Sequence, residues 1–198
     1  EFFKIKNLPT QSIDLYRKFL VHNSIQKSDN IVILHFRSYH SSFSDETQHY
    51  LRNSDAKSYS LMVNYLCKND FHVVRVGDKG INVGVKDKKY IDYANSKFKS
   101  QFLDLALVAH CNFFIGGSTG AVFIPAIFNK PILGVNMSMP FNYSPTGRSN
   151  EMGAPKLIID AKSQKLISIT DSFSKKFYQI RISEDLISLG YTLKDTSP

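Results

Sequence analysis

A glycine-rich turn at residues 116–120 has the residue types of a phosphate-binding site. The sequence Gly-Gly-Ser-Thr-Gly follows an apolar run and precedes a second apolar stretch with helical character. Glycines let the backbone approach a ligand closely, and unpaired N–H groups at a helix start favour an anion. The alternative is that a hydroxyl of the turn only caps the helix. The residues predicted to seat phosphate oxygens are Gly117, Ser118, Thr119 and Gly120.

A histidine and an arginine lie at the end of another apolar run, at 31–36. Strand alternation places His35 and Arg37 on the same face of this predicted strand. Arginine is always charged and can bind phosphate oxygens through two parallel hydrogen bonds. We therefore predict that Arg37, with His35, neutralises a bound phosphate group. The alternative for Arg37 is a structural ion pair at the strand end.

A third apolar run, at 72–77, ends in the sequence Arg75-Val76-Gly77-Asp78. A strand that runs into Gly-Asp suits the binding of a polar ligand group, and it also suits an ordinary turn. Arg75, Gly77 and Asp78 are predicted to line the same cleft as the glycine-rich turn.

The elements that must position these residues alternate between two periodicities along the chain. The predicted strands lie at 31–36, 72–77, 112–117, 131–136 and 157–160, with a weaker candidate at 90–93. The predicted helices lie at 11–22, 55–68, 100–110 and from Gly120 to about 128, with Asp55 and Ser100 as helix caps. The alternation predicts an α/β fold with a Rossmann-like, doubly wound and mainly parallel sheet, which binds ligands at the carboxyl ends of its strands. Residues 137–156 are predicted to form a long loop.

Several other classes of site are disfavoured by the residues themselves. The turn almost matches the Gly-x-Ser-x-Gly motif of hydrolases, but such an enzyme needs a histidine after the serine, and the last histidine is His110. The P-loop motif is absent. There is no Asp-x-Asp motif, and the six histidines lack ligand spacing, so no metal site is predicted.

Composition limits the partners and the compartment. The chain has 198 residues and carries 25 Lys and Arg against 17 Asp and Glu, for a net charge of +8. This surplus favours an anionic partner, either a phosphorylated ligand, an acidic membrane face or nucleic acid. Nucleic acid is the weaker prediction, because no basic stripe is interleaved with aromatic residues. Two cysteines without close spacing, Cys67 and Cys111, predict free thiols in a reducing, cytoplasmic compartment.

Six motifs in order resemble a bacterial family of glycosyltransferases from surface-polysaccharide gene clusters. They are Leu-His-Phe-Arg at 34–37, Tyr-Leu-Arg-Asn-Ser-Asp at 50–55, Val-Arg-Val-Gly-Asp at 74–78, Ile-Asp-Tyr-Ala at 91–94, Asp-Leu-Ala at 104–106 with Cys-Asn-Phe-Phe-Ile-Gly at 111–116, and Ser118-x-Gly120 with Pro125-Ala126 and Pro131. The His-x-Arg strand also resembles that of O-fucosyltransferases and α1,6-fucosyltransferases. The resemblance covers residues 30–136 well and the tail more loosely.

The resemblance implies an enzyme of the GT-B type, in which two Rossmann-like domains enclose the active site. Residues 1–198, with a core at about 30–160, would form one domain, the donor-binding half of a longer protein. The implied donor is a nucleotide diphosphate-sugar, held without a metal or other cofactor, and the implied acceptor is a glycan. Similarity to fucosyltransferases favours inversion and a GDP-linked donor. Peripheral association with the inner face of the membrane fits the same setting.

The catalytic base is the least defined part of the predicted site. The resemblance implies an acidic residue after the strand-end Arg37, and this chain has Ser38 there. Asp45 and His40 are the candidates to activate the acceptor hydroxyl, with Arg37 as the third predicted catalytic residue.

Two alternatives to an enzyme remain. One is a non-catalytic module that binds a nucleotide or phosphosugar, and the other is a nucleic-acid-binding protein that uses the net charge.

Overall fold

A parallel sheet forms the centre of the protein. The computed structural model describes residues 7–38, 51–138, 146–180 and 183–196. Within these ranges, six strands pair in the order β3-β2-β1-β4-β5-β6, and every pairing is parallel. The strands are β1 (Asn30–His35), β2 (Phe71–Arg75), β3 (Tyr90–Ile91), β4 (Phe113–Gly116), β5 (Ile132–Met137) and β6 (Glu151–Pro155).

Helices cover both faces of this sheet. They are α1 (Thr10–His22), α2 (Ser60–Lys68), α3 (Gln101–His110) and α4 (Phe123–Ile127). Along β1, Ile31 and Ile33 pack in the core with α1, α3 and α4, whereas Val32 and Leu34 pack in the core with α2. Because both faces are buried, the strand reads as a continuous apolar run.

The order of the strands creates a switch point at β1. The chain moves from β1 to β2 and β3 on one side, and then crosses back to β4, β5 and β6 on the other. Loops after β1 and β4 therefore diverge at the carboxyl end of the sheet, where such folds bind ligands. The predicted α/β, Rossmann-like fold is confirmed, with a sheet that is parallel at every pairing of the described strands.

A smaller unit follows the parallel sheet. Its strands β7 (Leu157–Asp160) and β8 (Tyr191–Lys194) are antiparallel, and its helices are α5 (Ile169–Ser174) and α6 (Ser183–Ser188). Ile158, Phe177 and Leu186 form its core together with Leu51, which belongs to the segment before α2. The strand predicted at 157–160 exists, but it lies in this small sheet and not in the parallel one.

The prediction of a long loop at 137–156 is wrong at its end. Residues 151–155 form β6, the edge strand beside β5. Its sequence, Glu-Met-Gly-Ala-Pro, lacks the apolar run of a central strand, and an edge tolerates both glycine and proline. The predicted start of the helix at 55–68 also differs, because Ala56–Tyr59 is a 3₁₀ turn that leads into α2.

Two predicted helix caps are confirmed. The Ser100 hydroxyl accepts a hydrogen bond from the Leu103 N–H, and the Asp55 carboxylate accepts one from the Lys57 N–H. Both cysteines are free and buried, as predicted. Across the described ranges, no helix is long and apolar enough to cross a membrane.

Candidate functional site

The glycine-rich turn lies beside the end of β1, where His35 is paired with Gly116. The Gly117 N–H donates to the His35 carbonyl at 3.2 Å, and the Thr119 N–H donates to the Gly117 carbonyl at 2.8 Å. In the part of the chain that the structure describes, the N–H groups of Ser118 and Gly120 donate to no protein acceptor. These two groups are available to an anion.

The two hydroxyls of the turn have structural partners. The Thr119 hydroxyl accepts from the Ala121 N–H at 3.2 Å and caps the short 3₁₀ helix Gly120–Val122. The Ser118 hydroxyl accepts from the Ser138 N–H at 2.8 Å, just beyond β5. Capping and anion binding are therefore compatible roles for this turn, because capping occupies the side chains and leaves two backbone donors available.

His35 connects this turn with the loop after β2. Its Nδ1 lies 3.2 Å from the Thr119 hydroxyl, and its ring lies so close to Gly77 that an added Cβ would be 3.1 Å from the ring Cδ2. Gly77 has a φ of 104°, a conformation that suits glycine. Burial is the main cause that lowers the pKa of His35 to about 4. In this structure His35 is neutral at pH 7 and offers a hydrogen bond without a positive charge.

The lowered pKa of His35 predicts a loss of stability in acid. As the pH falls, His35 takes up a proton near pH 6.5 in the unfolded chain but only near pH 4 in the folded chain. The stability that neutral His35 gives the folded chain is therefore complete above pH 6.5 and is lost as the pH falls from 6.5 to 4. The loss is at most about 3–4 kcal/mol, from the difference between a pKa of 6.5 and one of about 4 at about 1.4 kcal/mol per pH unit. Urea unfolding between pH 7.5 and 4.5 measures it. His35→Gln should show a shallower decline, and equal declines would contradict this origin.

Arg75 is buried at the end of β2, with 1% of its surface exposed. Its Nε donates to the Asp92 carboxylate at 2.7 Å, and its Nη1 donates to the Asp78 carbonyl at 2.9 Å. The Gly77 carbonyl accepts a hydrogen bond from the Lys99 ammonium. These contacts fix the loop after β2, and Asp92 balances the charge of Arg75. The predicted role of Arg75 in ligand binding stays a prediction.

A pocket of about 540 Å³ lies beside this loop. Asn82, Tyr90, Asp92 and Asn95 are among the residues that line it. The Asn95 side chain also orders the loop, because its amide oxygen accepts from the Gly80 N–H at 2.7 Å. The volume lies within the range of small-molecule sites.

The backbone segments that carry Arg37 and Arg52 lie side by side next to the turn. The Arg37 carbonyl accepts from the Ser54 N–H at 2.8 Å, and Ser38 and Ser54 form an isolated parallel bridge. Arg52 in turn donates its Nε–H to the Ser118 carbonyl at 2.7 Å. Sequence reasoning does not single out Arg52 as a site residue. The one sequence feature that could have pointed to Arg52 is its place in the motif at 50–55. By itself, that motif indicates only the start of a helix.

Two predicted catalytic residues stay predictions, because His40 and Asp45 lie outside the described residues. Within the described ranges, no group of three or more His, Cys, Asp or Glu side chains is arranged to hold a metal ion.

Comparison with known proteins identifies the fold. No family model and no curated protein match the sequence. A crystal structure of a glycosyl transferase of family 9 from Veillonella parvula is similar with a TM-score of 0.57 and 13% identity, over 88% of this chain and 46% of that one. The ADP-heptose lps heptosyltransferase II of E. coli is similar with a TM-score of 0.56 and 10% identity, over 76% of this chain and 44% of that one. This chain thus spans less than half the length of either structure, and its fold is that of one half of these glycosyltransferases.

Proposed function

We propose that this chain binds a nucleotide diphosphate-sugar and takes part in transferring the sugar to a glycan acceptor, as the donor-binding half of a glycosyltransferase. One observation carries the proposal: the glycine-rich turn has two N–H groups available to an anion at the switch point of a parallel sheet, and Arg52 contacts the same turn. The fold supports it, because both similar structures are glycosyltransferases, and one of them is an ADP-heptose heptosyltransferase.

The pocket beside β3 suits the nucleoside part of this donor. It lies on the β2–β3 side of the sheet, whereas the turn lies on the β4 side. With strands about 4.8 Å apart, β3 is three spacings, or about 14 Å, from β4, the strand that leads into the turn. An extended nucleoside diphosphate can span that distance, with its diphosphate at the turn. Asp92 and Asn95 would then offer polar groups to the base or ribose.

In this proposal, catalysis rests on stabilising the leaving diphosphate. Arg37 supplies positive charge and the turn supplies N–H donors, both fixed before the reaction, so that little reorganisation is needed as charge develops. Neutral His35 supplies a hydrogen bond. The candidates to deprotonate the acceptor hydroxyl remain Asp45 and His40. Independence of metal, inversion and a GDP-linked donor are proposals that rest on the family resemblance.

Calorimetric titration of GDP, UDP, ADP and CMP into the chain tests this function. We expect one nucleoside diphosphate to bind and CMP to bind more weakly. Arg37→Ala should lower the affinity for that diphosphate about 10- to 100-fold, because it removes a charge-assisted contact worth roughly 1.5–3 kcal/mol. The matched control is Arg17→Ala, since Arg17 lies on α1 with a side chain 74% exposed. The proposal fails if no nucleotide binds, and the role of Arg37 fails if both variants bind alike.

A further inference from the structure

We infer that one end of the smaller unit is a docking surface for an anionic lipid membrane, with lysines that bind headgroups and leucines that enter the headgroup layer. This hairpin surface consists of Lys162, Lys165, Leu166, Lys175 and Leu189. All five residues are exposed, the two leucines by 59% and 57%. The inference goes beyond the proposed function and does not depend on it.

The turn after β7 carries two of the lysines and one of the leucines. The Asp160 N–H donates to the Lys165 carbonyl at 2.9 Å, which closes a turn whose residues 161–165 are all exposed. Leu166 follows the turn and forms an antiparallel bridge to β7. Because neighbouring side chains alternate in extended backbone, Leu166 points away from Ile167, which packs against the core of the smaller unit.

Leu189 and Lys175 reach the same turn from other elements. The Ala161 N–H donates to the Gly190 carbonyl at 2.9 Å, so Leu189 lies beside the turn. The Lys175 ammonium is 5.5 Å from the ring centre of Tyr191, whose partner in the small sheet is the last residue of β7. The turn after β7, the end of α5 and the start of β8 therefore converge on the hairpin surface.

The charge of this end of the unit is positive. Residues 160–176 contain four lysines and two aspartates. Both carboxylates are engaged locally, because Asp160 accepts from two N–H groups of its own turn and Asp171 accepts from the Ser168 hydroxyl. Among the described residues, none of the four lysines forms an ion pair. Their ammonium groups are available to anionic headgroups, and the net charge of +8 draws the whole chain toward an anionic surface.

A lipid membrane fits this combination better than a protein does. A stable protein interface buries about 800 Å² on each partner and uses roughly 20–30 residues a side. The hairpin surface is the tip of one turn with a leucine on either side, which is a much smaller contact. A fluid headgroup layer adapts to such a tip, so that lysines reach the phosphates while leucines lie at the acyl boundary. A free phosphate would gain nothing from the exposed leucines.

Flotation of the chain with lipid vesicles tests the hairpin surface. The probes are vesicles of phosphatidylcholine alone and mixed vesicles that also contain anionic phosphatidylglycerol. We expect binding to the mixed vesicles only, and weaker binding at high salt, which screens the lysines. Lys162→Gln combined with Lys165→Gln should lower the affinity about 25-fold, at about fivefold for each lysine. The matched control combines Lys18→Gln with Lys68→Gln, which removes the same charge from exposed positions on α1 and α2, and should bind nearly like the unsubstituted chain.

The leucines distinguish insertion into the membrane from adsorption by charge alone. Leu166→Ser should lower the affinity for the mixed vesicles about tenfold, because an apolar side chain no longer leaves water. Leu189→Ser repeats the test outside the turn. The matched control is Val21→Ser, at an exposed residue of α1, and should leave the affinity unchanged. All three positions are exposed, so each variant should keep the fold, which urea unfolding verifies.

The inference is overturned if the unsubstituted chain does not bind the mixed vesicles, or binds neutral vesicles equally well. Equal effects of the two lysine pairs also overturn it, because the net charge and not the hairpin surface would then attract the membrane. Leucine variants that bind like the unsubstituted chain overturn the insertion. Binding to poly-glutamate in place of vesicles would assign the surface to an acidic protein instead. Nucleotide affinity is measured separately, so none of these results decides the proposed function.

Discussion

Asp195→Asn is expected to lower the free energy of unfolding by about 3 kcal/mol. Lys156 is 3% exposed, and its ammonium lies 2.7 Å from the Asp195 carboxylate. Burial lowers the pKa of Lys156, whereas the partner carboxylate acts to raise it. Removing only the carboxylate leaves a buried charge without its counter-ion, which typically costs about 3–5 kcal/mol. The lower end applies here, because the Asn53 carbonyl still accepts from Lys156.

The matched control is an ion pair of the same residue types at the surface. Lys89 pairs with Asp70, whose side chain is 87% exposed. Asp70→Asn should therefore leave the free energy of unfolding nearly unchanged, since water solvates both partners once they separate. Urea unfolding of both variants at pH 7 measures the difference. Similar losses for the two would show that burial does not set the strength of the Lys156 pair.

The Lys156 pair joins the segment after β8 to the candidate site. Asp195 also accepts from the Asp55 N–H, and Thr196 donates to the side chain of Asn136, a residue of β5. The residues after β8 thereby brace the same segment that presents Arg52. Loss of the Asp195 carboxylate is thus expected to weaken the support of the proposed phosphate site as well as the fold.

The central sheet is predictable from sequence because its signals are local. Strands β1, β2, β4 and β5 contribute buried apolar residues to the core, so each reads as a short apolar run bounded by polar residues. The caps at Asp55 and Ser100 are equally local. Strand β6 escapes prediction because an edge strand needs neither an apolar run nor alternation, and its partner β5 decides its conformation.

The candidate site is predictable only in part, because several of its properties arise between distant segments. The glycine-rich turn and the end of β1 can be predicted, because apolar runs mark where strands end and glycines mark the turn. The contact of Arg52 with Ser118 joins residues 66 positions apart, and no local sequence pattern predicts it. The neutrality of His35 depends on burial between the loops after β2 and β4. The pairing of Arg75 with Asp92 likewise requires that β2 and β3 lie side by side.

Gly116→Ala is expected to destabilise the fold by about 1–3 kcal/mol, the usual cost of overpacking a core. A Cβ added there would lie 2.6 Å from Phe114 Cε1 and 3.4 Å from the His35 carbonyl oxygen. Phe114 is 1% exposed and stacks near the His35 ring, so its side chain has no space to yield. The strain therefore falls on β1 and β4, the two strands that carry the candidate site.

Gly120→Ala is the matched control within the same turn. An added Cβ there meets no atom within 4 Å, and the residue does not have a positive φ. Alanine should then be neutral or stabilise by up to about 1 kcal/mol, because it restricts the unfolded chain. Urea unfolding of the two variants decides between two roles for the glycines. A large loss of unfolding free energy for Gly116→Ala alone means that sheet packing requires Gly116. It leaves the proposed phosphate-binding role open for Gly120. Equal losses would mean that the whole turn is a packing feature, which would remove the reason to interpret its glycines as a phosphate seat.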